Sequence, residues 1–96
     1  MYTIYKYLVT PGESFVEMMP RGARLLTVQA QPPGSQYVVV WAFVDTMQPK
    51  VPRRIMVMRT GDVAADASAP TAPYLGTVQM DEGTLAFHFF DGGEGG

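Results

Sequence analysis

The segment Tyr37 to Asp45 reads YVVVWAFVD and is apolar on both faces of an extended chain. Successive side chains of a strand point to opposite sides, so Val38, Val40, Ala42 and Val44 share one face while Tyr37, Val39, Trp41 and Phe43 share the other. Such a strand lies centrally between covering layers, or has a partner surface over its second face. The rest of the chain has to be arranged around that requirement.

Other segments also read as strands. Tyr2 to Val9 is aromatic and β-branched and ends at the turn Pro11-Gly12. Phe15 to Met19 is a short extended segment closed by Pro20 and Gly22. In Ala23 to Gln31, Leu26, Val28 and Ala30 alternate with Thr27, Gln29 and Gln31, the period of a half-buried antiparallel strand. Pro32-Pro33-Gly34-Ser35 then turns the chain. After the polar connection Asp45 to Pro52, Arg53 to Thr60 sets Ile55 and Val57 against Met56 and Met58. Tyr74 to Met80 and Thr84 to Asp91 form a closing hairpin around Asp81-Glu82-Gly83. Only Gly61 to Pro73 departs from this pattern. Asp62 can cap a single helical turn through Ala67, and Pro70 and Pro73 stop anything longer.

The pattern predicts an all-β domain, a small antiparallel barrel or sandwich of six or seven strands with at most one short helical turn. The domain is expected to span residues 1–91, with 92–96 (GGEGG) as a flexible tail. At 47% hydrophobic and 17% charged residues, the chain is not of the disordered class. Its net charge of −2 speaks against direct duplex-DNA binding. Cysteine is absent, which removes disulfides and thiolate chemistry. No apolar run is long enough for a membrane-spanning helix and no signal-peptide pattern opens the chain, so a soluble cytoplasmic protein is expected.

Catalytic candidates are few. His88 is the only histidine, so one chain cannot build a two-histidine metal site. Flanked by Phe87 and Phe89, it reads as a hydrogen-bonded strand residue at a rim or outer face. As a general base it would need a nucleophile and an orienting carboxylate, and no spacing ties Asp45, Asp81 or Asp91 to a serine. Asp81-Glu82 and Asp62/Asp66 read as solvated loop carboxylates. The terminal glycines precede no helix and lack the lysine of a phosphate loop. No enzyme, metal or cofactor is expected.

Five of the seven cations gather at two strand entrances, Arg21 and Arg24 at one and Lys50, Arg53 and Arg54 at the other. Such charges can simply guard strand ends. The sharper expectation is that Lys50, Arg53 and Arg54 grip a phosphate or an acidic protein face, because guanidinium makes bidentate contacts. Trp41, Met56 and Met58 complete the expected partner-binding set if they line one exposed sheet face, since methionine is adaptable and aromatics anchor interfaces.

The segments IYKYLV, MPRGARLLTVQAQ, WAFVD, YLGTVQ and LAFHFFD resemble those of a family of small uncharacterised proteins of tailed phages and prophages. The resemblance runs from Ile4 to Asp91 and is strongest at Met19-Pro20-Arg21-Gly22-Ala23 and Tyr74-Leu75-Gly76-Thr77-Val78-Gln79. These are turn-and-strand motifs and imply a shared fold. Where the family commonly has glycine followed by histidine and proline, this chain has Gly61-Asp62-Val63, so no histidine ligand carries over. The resemblance implies a non-enzymatic phage accessory protein that binds and inhibits a host defence component, such as a CRISPR effector, in the host cytoplasm. Two alternatives remain open at this point. One is a nucleotide-messenger sponge, with Arg53 or Arg54 on phosphate and a tyrosine or Trp41 stacked on the base. The other is a structural or self-assembling virion-associated protein, with Val39, Trp41 and Phe43 as a homo-oligomer seam.

Overall fold

The computed structural model describes residues 1–32, 35, 37–62, 72–80 and 83–95. Among them there are seven strands: β1 (Tyr2–Val9), β2 (Phe15–Pro20), β3 (Arg24–Ala30), β4 (Val38–Asp45), β5 (Lys50–Arg59), β6 (Tyr74–Met80) and β7 (Leu85–Glu94). All pairings are antiparallel and form two sheets, a smaller one of order β1-β4-β3 and a larger one of order β2-β5-β7-β6. The two layers make a sandwich, as the strand spacing predicts. Residues 63–67 of the helical turn expected at Asp62 to Ala67 and the carboxylates Asp66, Asp81 and Glu82 lie outside the described residues.

β4 holds the centre of the smaller sheet, paired with β1 on one side and β3 on the other. Its first face, Val38, Val40, Ala42 and Val44, is fully buried and meets Ile55, Val57, Phe87 and Phe89 of the larger sheet in the common core. β3 and β6 come together along one side of the sandwich. A side chain at Gly76 would place its Cβ 3.0 Å from Val28 Cγ1, so the glycine permits that approach.

Two segments depart from the alternation read in the sequence. In β3 a bulge between Leu25 and Thr27 adds a residue against β4. Leu25 and Val28 therefore both point inward, and Leu26, expected on the dry face, is turned out. At the other end, residues 92–94 are not a tail. β7 runs to Glu94, and Gly95 N–H donates to Pro52 C=O at 3.1 Å. A second register shift, opposite Arg54 and Ile55, accommodates Gly92. A Cβ there would fall 2.9 Å from Arg54 Cβ and 3.1 Å from its carbonyl oxygen, so only glycine fits.

Replacing Gly92 with alanine should therefore push β5 and β7 apart and lower stability by about 1–3 kcal/mol, measured by urea unfolding. The same change at Gly12, where a Cβ meets no atom within 4 Å, carries only the cost of its positive φ.

Candidate protein-binding face

Arg53 and Arg54 are neighbours in sequence and part company in the structure. The inward turn of β5 at Arg53 leaves its side chain about 10% exposed. There it makes a bidentate pair with Asp91, Nε to Oδ1 at 2.9 Å and Nη2 to Oδ2 at 2.6 Å. Nη1 donates to the Ala23 carbonyl at 2.7 Å and lies 3.7 Å from Glu94. Glu94 in turn accepts the Gly22 N–H at 2.6 Å. The expected grip of Arg53 on an outside phosphate gives way to an internal clasp, which ties β5 and β7 to the turn between β2 and β3. Burial alone would raise the Asp91 carboxyl. The hydrogen bonds from Arg53 and from the Gly93 N–H, with the Arg53 charge, outweigh it and hold the carboxyl below its ordinary value of 3.8.

Arg54 and Lys50 are exposed. Arg54, Met56 and Met58 alternate with buried Arg53, Ile55 and Val57, so they lie on the outer face of the larger sheet. Trp41 alternates with buried Val40 and Ala42 and lies on the outer face of the smaller sheet. The expected single surface of Trp41, Met56 and Met58 is therefore not assembled, because the two faces look in opposite directions. The same separation keeps Trp41 and Arg54 from stacking on and gripping one nucleotide.

His88 is on the outer face of the larger sheet and is bonded at both ring nitrogens. Nε2 meets Thr60 Oγ1 at 2.7 Å, Nδ1 meets Thr77 Oγ1 at 2.9 Å, and Thr77 Oγ1 meets the Tyr74 hydroxyl at 2.5 Å. The chain of hydroxyls braces β6 and β7 against the end of β5. The position is that of the hydrogen-bonded strand histidine on an outer face read from the sequence. Among the described residues, no three His, Cys, Asp or Glu side chains come together as a metal site.

The apolar surface missing from the expected set is carried by β1. Directly opposed residues of an antiparallel pair share a face, and the β1–β4 register sets Ile4 against Phe43, Lys6 against Trp41 and Leu8 against Val39. On this outer face Tyr2 (68% exposed), Ile4 (54%), Leu8 (68%) and Phe43 (42%) surround the half-buried Trp41. Tyr2 stacks on Phe43 at 5.7 Å between centroids. Lys6 Nζ lies 5.8 Å from the Trp41 ring centroid and 3.3 Å from Gln31 Oε1. Trp41 Nε1 donates to Gln29 Oε1 at 3.2 Å. These contacts fix the indole in one orientation with apolar residues around it and amides along one side. Aromatic residues at the centre with polar groups at the edge are a composition that protein interfaces share.

Fold and surface together define an all-β sandwich domain with an apolar, partly aromatic patch on the outer face of its smaller sheet. The chain belongs to a family described as a domain of unknown function, DUF7352, whose model matches residues 1–95. Neither the curated proteins nor the solved structures contain a match to it.

The clasp gives stability a defined pH dependence. Because the folded Asp91 carboxyl sits below 3.8, its contribution is complete above that pH and is lost as pH falls through the lowered folded value. Asp91→Asn should cost about 3–5 kcal/mol at neutral pH, because it takes the bidentate carboxylate from a buried Arg53 and leaves only the longer contact to Glu94. Denaturant midpoints across the acid range should fall more steeply for the parent than for the variant.

Proposed function

We propose that this domain is a non-enzymatic binding protein that docks the outer face of its smaller sheet onto a partner protein. The observation that carries this reading is Trp41, held half-buried among exposed Tyr2, Ile4, Leu8 and Phe43 on a face that no described strand covers. Tryptophan and tyrosine at the centre of an apolar patch are the residues that most often dominate binding energy. Single exposed apolar residues are ordinary, but a contiguous group of this kind marks an interaction site.

In its finer form the reading takes the partner to be a host defence component, such as a CRISPR effector, and the protein to be a phage accessory factor acting in the host cytoplasm. The resemblance to small phage proteins supports that form, and the net charge of −2 suits a protein that occupies a basic nucleic-acid channel.

The test is an interference assay with a defence complex, paired with direct binding to the purified complex. The parent should bind and block it. Phe43→Glu, which buries a charge in the contact, should weaken binding by roughly 30-fold or more, the effect of a hot-spot residue, with the far-ultraviolet circular dichroism unchanged. Arg54→Glu, on the opposite face, should bind as the parent does. Loss of binding with Arg54→Glu and none with Phe43→Glu would move the contact to the larger sheet and overturn the assignment.

A further inference from the structure

The edge of β1 poses a problem separate from the face beside it. The sheets end in four strands, β1 and β3 in one and β2 and β6 in the other. β3 and β6 come together, and each has a register irregularity. β2 has only six residues, among them Glu17 and Pro20. β1 has eight residues in an unbroken register with β4, no proline and a single charge, Lys6. That charge does not guard the edge, because its ammonium reaches across the sheet over Trp41 toward Gln31. Proline, bulges and outward charges are what keep sheet edges from pairing, and β1 has none of them.

In its first half β1 is also exposed on both sides, while Tyr7 and Val9 turn into the core. Thr3 and Tyr5, on the side that faces the larger sheet, are exposed, Tyr5 by 39%. Thr3 and Tyr5, with the free backbone groups of the edge, are what a second strand would cover, a small area of the kind found in weak, concentration-dependent contacts.

We infer that β1 pairs with β1 of a second copy, antiparallel about a two-fold axis, to make one continuous sheet from the two smaller sheets. An edge run antiparallel to itself is self-complementary, as an isologous contact requires. A register centred on Tyr5 sets Tyr2 against Leu8, Thr3 against Tyr7 and Ile4 against Lys6 of the other copy, so the two lysines never face each other. Both aromatic outer faces stay open and on the same side, so the dimer presents the binding face twice. The inference is independent of the binding reading, because it rests on the edge and not on the face.

Sedimentation equilibrium of the full chain from low micromolar to near-millimolar concentration tests it. The expected result is a mass rising from 10.5 kDa toward twice that value. Tyr5→Lys, alone and together with Thr3→Lys, both at exposed positions and each variant checked for folding by circular dichroism, should weaken the dimer by about tenfold or more, because it sets like charges directly opposite each other at the centre of the seam. Phe43→Glu and Val16→Lys, on the face and on β2, should leave the dimer as it is. A monomer at every concentration overturns the inference. So does a dimer that survives Thr3→Lys and Tyr5→Lys, or one that Phe43→Glu or Val16→Lys dissolves.

Discussion

The bidentate pair between Arg53 and Asp91 is the contact around which the rest is arranged. A guanidinium about 10% exposed needs its charge met and its donors satisfied. It is met here by one carboxylate in two hydrogen bonds and by the Ala23 carbonyl. Asp91 can reach it because β7 bulges at Gly92, and β7 can bulge there because glycine brings no Cβ against Arg54. Glu94 then holds the Gly22 N–H. One ionic contact thus links the middle of the larger sheet to the turn that leads into β3 and the smaller sheet. Among the described residues, no buried side-chain nitrogen or oxygen lacks a partner.

The surface follows from that arrangement. With Arg53 turned inward, Arg54 and the methionines beside it are left on one outside of the sandwich, and Trp41 with its aromatic neighbours on the other. Both outsides carry exposed apolar side chains, Val16, Met18 and Tyr74 on the larger sheet among them, and they differ in their polar contacts. The larger sheet is crossed by the hydroxyl and imidazole chain of Tyr74, Thr77, His88 and Thr60, which braces strands to one another. On the smaller sheet the polar groups pin the indole at one side, while the apolar residues around it remain uncovered. The proposed docking uses the second surface because Trp41 is held there beside exposed Tyr2, Ile4, Leu8 and Phe43.

The sequence carried the strands well and the pairings less well. Alternation and turn residues located β1, β4, the methionine strand β5 and the closing hairpin, because period two and the Pro/Gly breaks are local properties of the chain. The two-faced β4 was legible, but not which of its faces meets solvent. What could not be read locally were the bulges. The one in β3 moved Leu25 in and Leu26 out, and the one at Gly92 turned an apparent tail into ladder. Arg53 and Arg54 looked equivalent as adjacent cations. Strand alternation alone puts them on opposite faces, and the apolar period of Ile55 and Val57 already marked Arg53 as the inward one. The grouping of Trp41 with Met56 and Met58 failed for a different reason. Which strands share a sheet is a long-range property, and no spacing in the chain states it. The part of β1 in the proposed binding face was not legible, because apolar and aromatic strand residues read alike whether they face the core or the solvent.

The central claim is that the face around Trp41 is open in the free protein. Since Trp41 is the only tryptophan, acrylamide quenching of its fluorescence reads that face alone. The account requires ready but incomplete quenching in the free protein, as suits a half-buried indole, and unchanged quenching when the protein is concentrated, because edge pairing of β1 leaves the face uncovered. A blue-shifted emission that acrylamide scarcely quenches would show the face to be covered and would contradict the assignment of the binding surface.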